Sequence, residues 1–377
     1  MKEVKEVSRG KFWASVFTLT GTIIGAGILG LPYVFSRAGF WIGFFWLVFL
    51  GLICMYVFLC IGEVVLRTKQ VHQLTGYAAK YLGKNGKKLM FAAIIFEVYS
   101  ALIAYLIGEG ESFSHLFTGT VEYAVYFGIG FWLIMTLLLR EGLKGLKRVE
   151  TFGVSVILVL IVAISVYFSP GINMQNISYT NTSMFFIPFG VVLFAMLGFA
   201  SVPEMRREIN GKEKLLKKAI IIGVLIPIIV YAIFTFIFVG VLGQSVPEVA
   251  TIAFGKLVTL LGIFTMMTSY FVLSFVLKDA FVFDFNYNKR FVFLCVSIIP
   301  LLLYLIITYF NIADFVKVLG IGGVISGGLT GILILVMALK AKKLGERKPE
   351  YKIPINWFII GLLSLIFIIG VVVELFF

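Results

Sequence analysis

Charge is scarce in this sequence: Asp, Glu, Lys and Arg make up 14% of 377 residues, against 60% hydrophobic residues, and the mean hydropathy is +1.06. So little polar surface cannot cover a soluble globule of this size, and lipid must serve as the solvent. Histidine is almost missing: His72 and His115 stand far apart, so no pair lies at metal-binding spacing. The chain also lacks a nucleophile elbow, a paired aspartate dyad and a phosphate-binding loop, which leaves an intramembrane enzyme without its tools. Only Cys54, Cys60 and Cys295 occur, all within apolar runs, and they suggest no disulfide framework. No small-residue cleavage site separates the charged start, Met1 to Lys11, from the first apolar run, so no removable signal peptide is read.

What is present is a series of near-continuous apolar blocks without strand alternation. Only helices and closed barrels satisfy every backbone group in hydrocarbon, and these blocks select helices. Eleven spans are expected, at 12–38, 40–66, 89–117, 121–139, 150–168, 183–206, 215–242, 256–282, 291–309, 315–340 and 354–376. The net charge of +13 raises the question of nucleic acid, and its placement answers it: all but three of the 32 Lys and Arg fall in the N-terminus and alternate loops. The exceptions are Arg37, Lys256 and Lys317. This is the positive-inside pattern of a multi-pass protein of the cell membrane, with a cytoplasmic N-terminus and an outer C-terminus. The bilayer is its partner, and nucleic acid is not. The sequons at Asn176 and Asn181 fall in the outer 5–6 loop, a weak signal that agrees with this orientation.

The first span reads Thr20-Gly-Thr-Ile-Ile-Gly-Ala-Gly-Ile-Leu-Gly-Leu-Pro32. Each glycine costs a helix up to about 1 kcal/mol, so this stretch either packs closely against a neighbour or unwinds. The sixth span favours unwinding, because Gly198-Phe-Ala-Ser-Val-Pro203 repeats the Gly-x-x-small-apolar-Pro pattern of Gly27 to Pro32. The two segments open two halves, 12–168 and 183–340, each with an odd number of spans and therefore of opposite topology. Residues 1–11 precede them as a cytoplasmic segment, and 353–377 add an eleventh helix. Interrupted spans at matching positions of inverted halves point to a central site. A break frees N–H groups at the start of one half-helix, where the dipole favours a carboxylate, and carbonyls at the end of the other, which accept an ammonium group. Gly25, Ala26 and Gly27 are expected to supply the N–H groups. Thr22, Ile23 and the stretch Ala195, Leu197, Gly198 and Phe199 are expected to supply the carbonyls and walls. A Gly27→Leu side chain is accordingly expected to fill ligand space without unfolding the protein.

Gly25-Ala-Gly-Ile-Leu-Gly-Leu-Pro32, Phe194-Ala-Met-Leu-Gly-Phe-Ala-Ser-Val-Pro-Glu-Met205 and Ala104-Tyr-Leu-Ile-Gly-Glu-Gly-Glu111 resemble the first, sixth and third helices of the amino acid/auxin permease family. They resemble the related hydroxy- and aromatic-amino-acid permeases of the same superfamily equally well. The resemblance implies an all-α LeuT-type fold of five plus five inverted helices, with helices 1 and 6 discontinuous. It also implies alternating-access transport of neutral, aromatic or other large amino acids coupled to sodium ions or protons, with no other cofactor and with the monomer as the working unit. In sodium-coupled relatives, hydroxyls at the position of Thr265, Thr268 and Ser269 meet carbonyls of helix 1, here near Gly21 and Ile24. The alternative is that these hydroxyls bond back to their own helix. Glu111 matches an acidic position of the resembled family and is assigned to gating or proton linkage, while Glu97 and Glu109 are the other carboxyls at depth in helix 3. Glycines 320 to 331 read as a close-packing stripe, and the apolar loop 246–254 as a lid. Channel, sensor and amine-transporter functions on the same scaffold are the rivals.

Overall fold

The computed structural model describes residues 2–25, 27–141, 158–284 and 287–376; for 2–9, 141, 279, 283–284 and 289 it describes the main chain alone. Among the described residues there is no strand. The first span is split into α1 (Lys2–Ile23) and α2 (Gly27–Ala38), bent by 55° at the break. Then follow α3 (Phe40–Arg67), α4 (Leu74–Thr118), α5 (Ala124–Glu141) and the short apolar α6 (Leu158–Gly171). After the small α7 (Met174–Ser178), the sixth span is split into α8 (Ile187–Ala195) and α9 (Val202–Glu208). The remaining spans are α10 (Leu216–Leu242), α11 (Lys256–Asp279), α12 (Lys289–Phe293) with α13 (Ile299–Tyr309), α14 (Phe315–Gly322) with α15 (Gly328–Leu344), and α16 (Trp357–Phe376).

Among the described residues, eight helices, and the bent pair as a ninth, are long and apolar enough to cross a membrane. The expected fourth and fifth spans appear as shorter apolar helices, and most of the expected start of the fifth lies outside the described residues. The third span differs from expectation at its start. Helix begins at Leu74, turns at Gly83 (φ 76°) and runs on to Thr118. Lys84, Lys87 and Lys88 end the apolar run without ending the helix, because a helix may continue into water wherever its residues form one readily.

Small residues let the spans close on one another. A Cβ at Gly43 would meet the Phe35 ring, one at Gly51 the Ile228 side chain, and one at Gly223 would come within 2.9 Å of Leu19. Glycines of the tenth span behave as the close-packing stripe expected of them. Gly322 faces Ser100, Gly323 lies on the α8 main chain at Phe194, and Gly331 seats the Phe367 ring of α16. The chain between α14 and α15 forms a π turn, Gly323–Gly327, at this contact. The 7–8 loop dips back as a 3-10 turn, Ala250–Phe254, with Val249 and Ala250 fully buried. Cys54, Cys60 and Cys295 are free and buried.

Candidate functional site

The two breaks lie against each other at the centre of the bundle. Gly198 (φ 148°) adopts a conformation that favours glycine, and a Cβ there would come within 3.2 Å of Ile23 and 3.4 Å of Thr22. Helix ends, at Ile23 on α1 and Ala195 on α8, leave terminal carbonyls that need donors. Both find one shared donor, and the Ile23 carbonyl also accepts the Gly25 N–H at 2.9 Å. The Tyr231 hydroxyl, on α10 and fully buried, donates toward the Ile23 carbonyl at 2.7 Å and the Ala195 carbonyl at 3.0 Å, so one proton is shared between two acceptors. These carbonyls, expected to receive a ligand amine, are therefore tied to each other through a phenol. The sequence reading missed Tyr231, since nothing in a single chain registers the seventh span against the first and sixth.

Gly25 and Gly27 play different parts. At Gly25 an added Cβ would meet only the Tyr105 hydroxyl, at 3.7 Å, and this glycine has no left-handed backbone. At Gly27 it would lie 2.6 Å from the Ala195 Cα, that is, inside the α8 main chain. The expectation that a leucine at Gly27 would occupy ligand space is corrected accordingly: Gly27 is a packing glycine between α2 and α8. Ala26 lies outside the described residues. Thr22 is exposed, with its hydroxyl bonded to the Thr18 carbonyl at 2.8 Å, and Gly21 is half-buried beside it. Phe199 commits its ring to Phe58 on α3, 4.6 Å between centroids, and Leu197 packs on Gly327. Above the break, Phe315 is fully buried between Gly30 on α2 and Gly108 on α4, where a Cβ would come within 3.6 and 3.0 Å of its ring.

Of the three hydroxyls assigned to an ion, those of Thr265 and Thr268 bond back to their own helix, and Ser269 is half-buried. Thr265 donates to the Leu261 carbonyl at 2.8 Å, and Thr268 to those of Phe264 and Thr265, each at 3.0 Å. Ile24, expected opposite them, is buried just past the end of α1 with its N–H on the Thr20 carbonyl. Of the carboxyls, Glu63 is held by the Arg67 side chain at 2.7 Å and the Ile353 N–H at 2.6 Å. Glu111 lies toward the C-terminal end of α4 near Glu248 of the 7–8 loop and Asp314, which caps α14. Burial, then Asp314 beside it, push the Glu248 carboxyl up to about 7.

The family model described as Tryptophan/tyrosine permease family matches residues 8–265. The chain is 23% identical over 355 residues to Glutamine transporter 2 of Aliivibrio fischeri, covering 88% of this chain and 90% of that one. It is 27% identical over 245 residues to Tyrosine-specific transport system 1 of Haemophilus influenzae, covering 61% of this chain and 58% of the relative. A crystal structure of MhsT in complex with L-phenylalanine superposes with a TM-score of 0.65 at 15% identity, over 96% of this chain and 97% of that one. The fold is the LeuT type, with its broken first and sixth helices.

Proposed function

The chain belongs to the tryptophan/tyrosine permease family, and from that premise we propose that it carries neutral L-amino acids across the cell membrane by alternating access. Its amino-acid-transporting relatives support the class of substrate. The single observation that carries the reading is the meeting of the two breaks, where Gly25, its N–H on the Ile23 carbonyl at 2.9 Å, and the carbonyl ends at Ile23 and Ala195, joined by Tyr231, converge with no basic side chain among the described residues. Such a site suits a zwitterion, whose carboxylate takes backbone N–H groups and whose amine takes carbonyls. Tyr105 and Tyr231 bound it, and their apolar faces favour a large or aromatic side chain. Coupling is to sodium ions or protons, the working unit is the monomer, and the N-terminus is cytoplasmic, as the basic loops argue. The purified protein in proteoliposomes loaded with unlabelled tyrosine, tryptophan or glutamine is expected to draw in the same labelled amino acid by counterflow. A channel or a sensor gives no such exchange, and its absence with all twenty amino acids contradicts the proposal.

A further inference from the structure

Helix α4 carries a carboxyl that nothing in the packing satisfies. Glu109 is fully buried, and neither of its oxygens has a hydrogen-bond partner among the described residues. The preceding Gly108 faces the Met266 sulfur and the Phe315 ring, and the carboxyl lies against the main chain of Met267 on α11 without a good hydrogen bond to it. One turn earlier on the same face stands Tyr105, whose hydroxyl reaches Gly25; one turn later stands Ser112, also fully buried with its hydroxyl unpartnered.

Among the described residues, the packed elements offer no counter-charge. From α11 the mid-helix group is Tyr270, with Lys256 and Lys278 at the two ends; from α5 the cation is Arg140 at its last turn. Tyr304 comes from α13, and Lys317 of α14 donates to the Glu374 main-chain carbonyl at 2.6 Å and lies 4.0 Å from its carboxylate. Lys340, Lys342 and Lys343 lie at the far end of α15, and Glu97, Glu111 and His115 are on α4 itself. None of these bears on the Glu109 carboxyl. An ionised carboxylate here would leave its lone pairs without donors at a cost of several kcal/mol, whereas a neutral acid has far less to lose.

We propose that Glu109 is the proton-binding site of the transport cycle, loaded as a carboxylic acid while it is occluded beside the substrate site. The balance is simple: the carboxylate takes one proton from water on the outer side, where Glu111 stands two residues on, and returns it to water on the inner side when the bundle reopens. This rests on the transporter reading above and names its coupling ion, placing it against the same α11 segment, Thr265 to Ser269, that sodium would use.

The test uses the full chain in sodium-free proteoliposomes, with whichever of labelled tyrosine, tryptophan or glutamine exchanges fastest in counterflow. With the outside one pH unit more acidic and one proton per substrate, wild type should accumulate the amino acid about tenfold. Glu109→Gln should not accumulate it above the outside concentration, and Glu109→Asp should accumulate it with a shifted pH profile. Accumulation by Glu109→Gln equal to wild type overturns the proposal. So does wild-type accumulation that needs sodium and ignores pH, a result that leaves the transporter reading standing because counterflow persists. Should Glu109→Gln fail to fold, an unshifted profile in Glu109→Asp is the contradicting result. Loss of counterflow with every amino acid overturns both readings.

Discussion

Leucine at Gly25 should abolish substrate binding in a protein that still folds, and leucine at Gly27 should do the reverse. The two glycines are two residues apart, and sequence alone treats them alike. An added Cβ at Gly25 would meet, among the described residues, the Tyr105 hydroxyl at an ordinary contact distance of 3.7 Å, so no main chain has to shift to admit it. Binding measured by thermal shift is then expected to weaken by roughly a hundredfold or more, about 2.7 kcal/mol, with the ligand-free melting temperature near that of wild type. At Gly27 the nearest atoms are Ala195 Cα at 2.6 Å and Cβ at 2.7 Å, and a main chain cannot turn aside as a flexible side chain does. Overpacking typically costs about 1–3 kcal/mol, and here it falls on the contact between α2 and α8, so the melting temperature itself should drop. A Gly27→Leu protein as stable as wild type would mean that α2 and α8 do not rest on each other in the ground state.

Removing one oxygen atom should matter nearly as much. Tyr231→Phe leaves the ring in its buried place and takes away the donor that the Ile23 and Ala195 carbonyls share. Loss of a buried hydrogen bond of this kind costs about 1–3 kcal/mol. Because the bond joins the first break to the sixth, the cost should appear in function: substrate Kd is expected to rise about tenfold, or ~1.4 kcal/mol, with the expression level unchanged. A Tyr231→Phe protein that binds and exchanges substrate like wild type would show that the phenol only fills space.

Much of this architecture was legible in the chain because its signals are local. The glycines of Thr20 to Pro32 and the hexamer from Gly198 to Pro203 weaken their own helices, and the structure breaks at both. Hydropathy located eight spans and the bent first one, met the fourth and fifth only as shorter apolar helices, and misjudged the start of the third, since apolar length measures the membrane and not the helix that protrudes from it. What the sequence hid is lateral. Tyr231, Tyr105 and Phe315 belong to three different helices, and their convergence depends on rotations that no spacing within one helix encodes. Gly27 looked like Gly25 for the same reason: only the presence of Ala195 behind it makes it a packing residue. Glu109 was visible as an acid at depth, but its isolation became evident only once α11 was laid against it.

The most direct test of the central claim, that the double break holds a zwitterion through its backbone, is competition in counterflow by tyrosine, its decarboxylated amine and its deaminated acid. With N–H groups taking the carboxylate and carbonyls taking the amine, each truncated compound should compete at least about a hundredfold more weakly than tyrosine, since each leaves one set of buried backbone groups unmatched. An amine that competes as well as tyrosine would contradict the carboxylate site and identify the protein as a carrier of amines on the same scaffold.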